Sequence, residues 1–201
     1  MTRVAIIDNN VLANFFDIER VDLLNLCRNI FDYILIPERV KIESENYCNG
    51  ELPEVRKRFL SNIDTMHGFF RLCTTYDPLI LTFIKTEKNI HLGEAEAIAQ
   101  ALKRSVSIFI TEDKACINYL THNYNFIRIF DTLFVVAVLN LQQYVSDEDY
   151  DKVLIELKKK HGYNSKMLRT AYLNAYRFLD LALNKKNFSR KISFSKIGLL
   201  N

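Results

Sequence analysis

The stretch from Leu92 to Asp113 predicts a helix that leads directly into a buried strand. Within the helix, Ala97 and Ile98 lie three and four residues after Glu94, so the three residues share one face. That face is otherwise made of small apolar residues, which suits it to lying flat against a sheet. Glu94 is therefore predicted at the inward edge of the helix.

The opposite side of this helix is polar, because Glu96, Gln100 and Lys103 lie there. We expect solvent around these three side chains. Glu96 is then the solvated member of the pair that it forms with Glu94, and only Glu94 is a candidate site residue.

The strand after the helix is an apolar run, Val106 to Ile110, which fits a central parallel strand. It is followed by Thr111, Glu112 and Asp113. Open α/β sheets bind ligands in the crevice at the carboxyl ends of their strands. Asp113 is therefore predicted to lie in such a crevice, where carboxylates from other elements can join it.

A second acidic residue also follows a buried strand. Val4 to Ile7 are consecutive apolar residues that predict a strand buried on both faces, and Asp8 and Asn9 come next, before an apolar helix. Asp8 thus repeats the placement of Asp113. Aspartate is also a common helix N-cap, and the residues alone leave both interpretations open.

A third candidate follows the predicted strand from Tyr33 to Ile36. Pro37 suits the first turn of the next helix, and on that helix Val40 and Glu43 share a face. Glu43 is therefore a candidate inward carboxylate. The competing interpretation is an acidic residue on an exposed helix face.

The rest of the chain continues the alternation of strands and helices. The pattern predicts a helix over 55–67, an edge strand over 69–75 and a short strand over 126–130. Asp131 then begins an apolar helix; it is favoured as an N-cap, although it could also reach the crevice. The fold class is α/β: a three-layer α/β/α sandwich around a central parallel sheet, with a C-terminal helical extension.

The chain of 201 residues has the length of one domain with an extension. We predict a principal domain over residues 1–145, C-terminal helices packed on it over 146–184, and a tail over 185–201. After residue 180 there are five basic residues and no acidic one, which permits a polyanionic partner. The candidate nucleic-acid-binding residues of the tail are Lys185, Lys186, Arg190 and Lys191.

Composition is that of an ordinary globular protein, with 49% hydrophobic and 25% charged residues. No apolar run approaches the length of a membrane span, and the first residues predict a strand rather than a signal peptide. The four cysteines are scattered without a CxxC pattern, so we expect reduced, buried thiols and a cytoplasmic protein with no membrane association.

Four carboxylates thus occupy related positions in the predicted fold, and their mutual repulsion is the feature with the most chemical consequence. Either several of them are protonated or cations occupy the site. Carboxylate oxygens without Cys or His select Mg²⁺ or Mn²⁺. Such ions leave positions for water and a substrate phosphate, which favours phosphodiester hydrolysis. The four residues are Asp8, Glu43, Glu94 and Asp113.

The stretches that carry these four residues resemble a known family. The opening strand of the PIN-domain nucleases is similar to RVAIIDNNVLANF. One bacterial branch of that family has a second motif similar to ILIPERVKIESE. Its Gly-Glu-x-x-Ala-Ile motif is similar to HLGEAEAIAQALKR, and its closing strand is similar to FITEDKA. The resemblance spans residues 3 to about 170. It implies a PIN-like fold and metal-dependent endoribonuclease activity that uses metal-activated water, as in the VapC-like toxins of toxin–antitoxin pairs. By position, the four carboxylates would be the catalytic and metal-binding tetrad, with Asn9 and Thr111 as supporting residues. Asp131, which could also reach the crevice, is a further candidate supporting residue.

A different class of function competes with the enzyme. The chain could be a catalytically weak PIN-like module that acts by binding a protein, either an antitoxin-like partner or a second copy of itself. The complete set of four carboxylates favours the enzyme, with RNA as its substrate.

Overall fold

The computed structural model describes residues 3–46, 53–63, 67–86 and 90–182. Five parallel strands form one sheet. They are β1 (Val4–Ile7), β2 (Tyr33–Pro37), β3 (Phe70–Cys73), β4 (Ile108–Ile110) and β5 (Arg128–Phe130).

Ten α-helices lie in the described ranges, together with a short 3₁₀ turn at Cys27–Asn29. The helices are α1 (Asn9–Asp17), α2 (Val21–Leu26), α3 (Glu38–Asn46), α4 (Glu54–Ser61), α5 (Pro78–Lys85), α6 (Leu92–Lys103), α7 (Lys114–Asn123), α8 (Thr132–Leu141), α9 (Asp147–His161) and α10 (Ser165–Ala182).

The strands lie in the order β3, β2, β1, β4, β5. Ile6 of β1 is opposite Leu35 of β2 on one side and Phe109 of β4 on the other. The chain therefore winds outward from β1 to β3 and then returns to β4, which makes the gap between the ends of β1 and β4 the topological switch point. The predicted parallel sheet is confirmed, and β3 is an edge strand as expected.

Helices cover both faces of the sheet. On one face, Ile6, Leu35 and Phe109 share a core with apolar side chains of α5, α6 and α7. Neighbouring strand residues point to the opposite face. There the rings of Phe16 on α1 and Phe70 on β3 each meet Phe59 of α4 edge to face, with centroids 5.5 and 4.7 Å apart. The expected three-layer sandwich is therefore confirmed.

The chain divides into two compact units, and the second begins at Asp131. Within it, α10 packs along α8, where the rings of Phe134 and Phe178 lie 5.6 Å apart. Gly162 ends α9 in the left-handed region, at φ 69°, which glycine adopts without steric cost. The predicted boundary between residues 145 and 146 stays a prediction.

Several predicted element boundaries differ from the structure; β4, for example, begins at Ile108 rather than at Val106. Pro37 is the last residue of β2 and α3 begins only at Glu38, because a residue without an N–H can still end a strand. The helix predicted over 55–67 is shorter: α4 ends at Ser61, with Asn62 as its C-cap.

Three cysteines, Cys27, Cys73 and Cys116, are free and buried as expected, and burial raises the pKa of each thiol. Cys48 lies outside the described residues. In the part of the chain that the structure describes, no helix is both long enough and apolar enough to cross a bilayer.

Candidate active site

Asp8 lies at the switch point, directly after β1. Its backbone N–H donates to the carbonyl of Ile110 at the end of β4, so the two strand ends are joined there. Its side chain is 4% exposed. One oxygen, Oδ1, accepts from the backbone N–H of Asn9 at 2.7 Å, and the other, Oδ2, accepts from the hydroxyl of Thr111 at 2.9 Å. Asp8 is thus the N-cap of α1, as one interpretation held, and it is also a buried carboxylate.

Thr111 joins Asp8 to Asp113. Its fully buried hydroxyl donates to Asp8 and accepts from the backbone N–H of Asp113 at 3.1 Å. The Oδ1 atom of Asp113 accepts from the backbone N–H of Cys116 at 2.6 Å, which caps α7. Thr111 therefore lies between the two aspartates, and its supporting role in the site stays a prediction.

Glu94 reaches the same region from the first turn of α6. Its Oε2 atom accepts from the backbone N–H of His91 at 2.6 Å, and its side chain is half-buried. Burial, followed by the negative charge of Asp8, raises the pKa of Glu94 to about 7, and the charge of Asp113 adds to the shift. The hydrogen bond from His91 opposes it. Glu94 is therefore within electrostatic reach of both aspartates.

The pKa of Asp8 is also raised, to about 6. Burial is the largest cause, and the charges of Glu43 and Asp113 act in the same direction. The hydrogen bonds from Thr111 and Asn9 stabilise the charged form and limit the shift. All four predicted carboxylates are linked electrostatically through Asp8.

Glu43 approaches from α3 and lies against the start of α6. A Cβ atom built on Gly93 would be only 2.9 Å from Oε1 of Glu43 and 3.1 Å from Oε2. The missing side chain of Gly93 therefore gives the Glu43 carboxylate its room. The sequence contained a signal for this contact, because a glycine in the first turn of a helix is unfavourable without a packing reason.

A second set of polar contacts around α1 had no signal in the sequence. Oδ1 of Asn9 accepts from the buried hydroxyl of Ser44 at 2.6 Å, which ties α1 to α3. Oδ1 of Asn10 accepts from the backbone N–H of Glu112 at 3.2 Å, which ties α1 to the loop after β4. Asn9 is thus part of the structure around Asp8 through its backbone and its side chain.

The polar side of α6 differs from the prediction. Gln100 is fully buried, and Glu96 is half-buried rather than solvated. Burial raises the pKa of Glu96, and the charge of Arg39 on α3 and that of Lys85 on α5 lower it. The physical reason is that α3 and α5 both contact α6, so more than one of its faces is covered.

A family model described as a PIN domain matches residues 4–177, which is most of the chain. The chain belongs to the PIN-domain family. This family is one of nucleases, which supports hydrolysis of a nucleic acid. The comparison with curated proteins returned no match.

Two other predictions concern Asp131, which directly follows β5, and the basic tail. Asp131 is the N-cap of α8, where Oδ1 accepts from the backbone N–H of Phe134 at 2.6 Å, so the favoured interpretation is confirmed. Its supporting role in the site stays a prediction. The basic tail residues Lys185, Lys186, Arg190 and Lys191 lie outside the described residues.

The donor set of this PIN domain fits a hard divalent cation. Across the described residues, no three His, Cys, Asp or Glu side chains come close enough to hold a metal ion by themselves. Mg²⁺ is usually held by only one or two carboxylates, with water and substrate phosphate as its other ligands. Within the described ranges, Oδ2 of Asp113 and Oε1 of Glu94 accept no hydrogen bond, so each has an oxygen available to a cation.

Proposed function

We propose that this chain is an endoribonuclease that depends on Mg²⁺ or Mn²⁺ and hydrolyses phosphodiester bonds in RNA. The observation that carries the proposal is the set of crowded carboxylates at the switch point, where the pKa values of Asp8 and Glu94 are raised to about 6 and 7. Crowding of this kind is relieved by a bound cation. Asp8, Glu43, Glu94 and Asp113 would hold it.

The chain's own residues orient these groups before any ligand arrives. Thr111 and the N–H of Asn9 fix both oxygens of Asp8, the N–H of Cys116 fixes Asp113, and the N–H of His91 fixes Glu94. Such fixed geometry lowers the cost of reorganisation during reaction. When bound, Mg²⁺ or Mn²⁺ polarises the phosphate and lowers the pKa of an attacking water.

A cleavage assay tests this proposal. We would incubate the protein with a mixed pool of single-stranded and structured RNA, and separately with single-stranded DNA, in Mg²⁺, Mn²⁺ or EDTA. We expect internal cuts in RNA with either cation and none in EDTA. Cleavage that is equal in EDTA, or that is unaffected by Asp8→Asn, would show that the carboxylates are not the site.

The biological role that we propose is that of the toxin in a toxin–antitoxin pair, in the cytoplasm. Induced expression should then arrest bacterial growth, and the Asp8→Asn variant should not. Co-expression of an antitoxin-like protein encoded beside it should restore growth. Normal growth with an active, soluble wild-type protein would reject the toxin role and leave the nuclease proposal standing.

We further propose that the basic tail binds the RNA backbone. Deletion of residues 185–201 should then weaken RNA binding, because fewer phosphates are neutralised. The slope of log K against log salt should become shallower by about 0.7 for each phosphate that the shortened chain no longer neutralises. An unchanged slope would show that the tail does not bind RNA.

A further inference from the structure

Arg39 is a cation at the edge of the carboxylate cluster with most of its donor groups unused. Its Nε atom donates to Oε1 of Glu43 at 3.1 Å. Among the described residues it makes no other hydrogen bond, and its side chain is 44% exposed. The two terminal amino groups of the guanidinium are therefore available to a ligand that approaches the site.

Helix stability does not explain this placement. Arg39 is the second residue of α3, and a positive charge near a helix N-terminus is disfavoured by the helix dipole. The pair with Glu43 also has the cation on the N-terminal side, which is the weaker orientation for an i, i+4 pair. The same helix carries a second such pair, in which Lys41 contacts Glu45 at 2.7 Å.

The charges around Arg39 show what it can do. Glu43 contacts Arg39 directly, and the charge of Arg39 also acts on Glu96, so the guanidinium is within electrostatic reach of carboxylates on both α3 and α6. A substrate phosphate that approaches these carboxylates meets repulsion from all of them. Arg39 offers a positive charge among them, and its planar fork matches two phosphate oxygens.

We propose that Arg39 binds a phosphate of the RNA substrate through its two terminal amino groups, while Nε remains on Glu43. This inference rests on the proposed ribonuclease function. It assigns to Arg39 a substrate-binding role next to the cluster, and it makes Glu43 the residue that holds the guanidinium in place.

RNA binding tests the role of Arg39 directly. In an Asp113→Asn background that does not cleave, we would measure the affinity for one single-stranded RNA over a range of salt concentrations. Arg39→Gln should weaken binding about tenfold and make the salt slope shallower by about 0.7. Arg39→Lys should retain the slope but recover only part of the affinity, because an ammonium lacks the fork. Lys41→Gln is the matched control and should change neither.

The outcomes separate this inference from the function on which it rests. If the wild type cleaves RNA but Arg39→Gln binds with the parental affinity and slope, Arg39 does not bind phosphate and the ribonuclease proposal survives. Equal losses of RNA affinity in Arg39→Gln and Lys41→Gln would show that the effect comes from the loss of any positive charge on α3, and would overturn the inference. A wild type that neither binds nor cleaves RNA would overturn both.

Discussion

Helices α1 and α5 both begin with an aspartate N-cap, but the surroundings of the two aspartates differ. Asp77 caps α5, and its Oδ1 atom accepts from the backbone N–H groups of Leu79 and Ile80 at 2.9 and 3.4 Å. Asp8 caps α1, and one of its oxygens likewise accepts from the backbone of that helix. The other is bonded to Thr111 from the neighbouring strand end, and the side chain is 4% exposed where that of Asp77 is half-buried.

The difference shows that burial beside other carboxylates, and not helix capping, distinguishes a candidate site residue. Capping accounts for an aspartate at a helix start, and it needs no burial. Burying a carboxylate beside other carboxylates raises its pKa and costs free energy, which capping alone does not offset. Capping alone therefore does not account for the burial of Asp8, and the two residues can be used as a matched pair.

The largest expected effect is on cleavage. Asp8→Asn should lower the rate of RNA cleavage by about a thousandfold, because it removes a charged oxygen from the cluster. Asp77→Asn should leave the rate within about twofold, since asparagine caps a helix as well as aspartate does. Initial rates in Mg²⁺ measure both. Equal rates in the two variants would remove the distinction between the caps.

The next effect is on stability and depends on pH. Because the pKa of Asp8 is raised to about 6, the folded state binds its proton more tightly than the unfolded state. The stabilisation of the folded state by this proton is fully present below about pH 4. As pH rises through 6 it is lost, and the free energy of unfolding falls by about 3 kcal/mol. Asp8→Asn should therefore become more stable relative to the wild type as pH rises from about 4 to about 7.

Thermal unfolding in EDTA at several pH values measures this difference. Asp77→Asn serves as the control and should follow the wild type. A constant difference between Asp8→Asn and the wild type across this range would mean that Asp8 is not the carboxylate whose burial destabilises the charged form.

The third prediction compares two glutamates of α6. Glu94→Gln should lower cleavage about a hundredfold, since the charges of Asp8 and Asp113 both act on Glu94 and the three carboxylates would share the cation. Glu96→Gln should cost only a few-fold, because the charges acting on Glu96 come from α3 and α5 rather than from the aspartates. A larger loss at Glu96 would place the reacting phosphate on the α3 side of the cluster.

The smallest predicted effect concerns the link between the aspartates. Thr111→Val keeps the shape but removes the hydroxyl, so Asp8 loses a hydrogen bond and the N–H of Asp113 loses its acceptor. Cleavage should fall about tenfold and stability by about 2 kcal/mol. The control is Thr121→Val on α7, whose exposed hydroxyl donates to the carbonyl of Ile117. Similar losses at both positions would deny Thr111 a special role.

The sequence was informative where local pattern and structure agree. The apolar run before Asp8 became β1, and the placement of Asp8, Thr111 and Asp113 at strand ends followed from the general rule for parallel sheets. The start of α8 was also predictable, because the cap that Asp131 provides is a local hydrogen bond.

What the sequence could not supply were contacts made by a third element. A helical pattern identifies the face of α6 that meets the sheet, but Gln100 is buried because other helices also cover α6. The bond between Ser44 and Asn9 joins residues 35 positions apart, and no periodicity encodes it. Gly93 was a local signal of a close contact in α6, but its partner Glu43 lies on a different helix and could not be identified from the pattern.

Asp8 and Asp113 are helix caps as well as proposed site residues, and this double use has an evolutionary consequence. Each is an N-cap, so substitution by alanine would remove a helix cap and cost about 1 kcal/mol in addition to any catalytic loss. Asparagine preserves the cap and relieves the repulsion between carboxylates. A lineage that no longer needs catalysis can therefore drift to asparagine at both positions without losing its fold. Asparagine at these two positions would identify a relative that has given up catalysis and kept the scaffold.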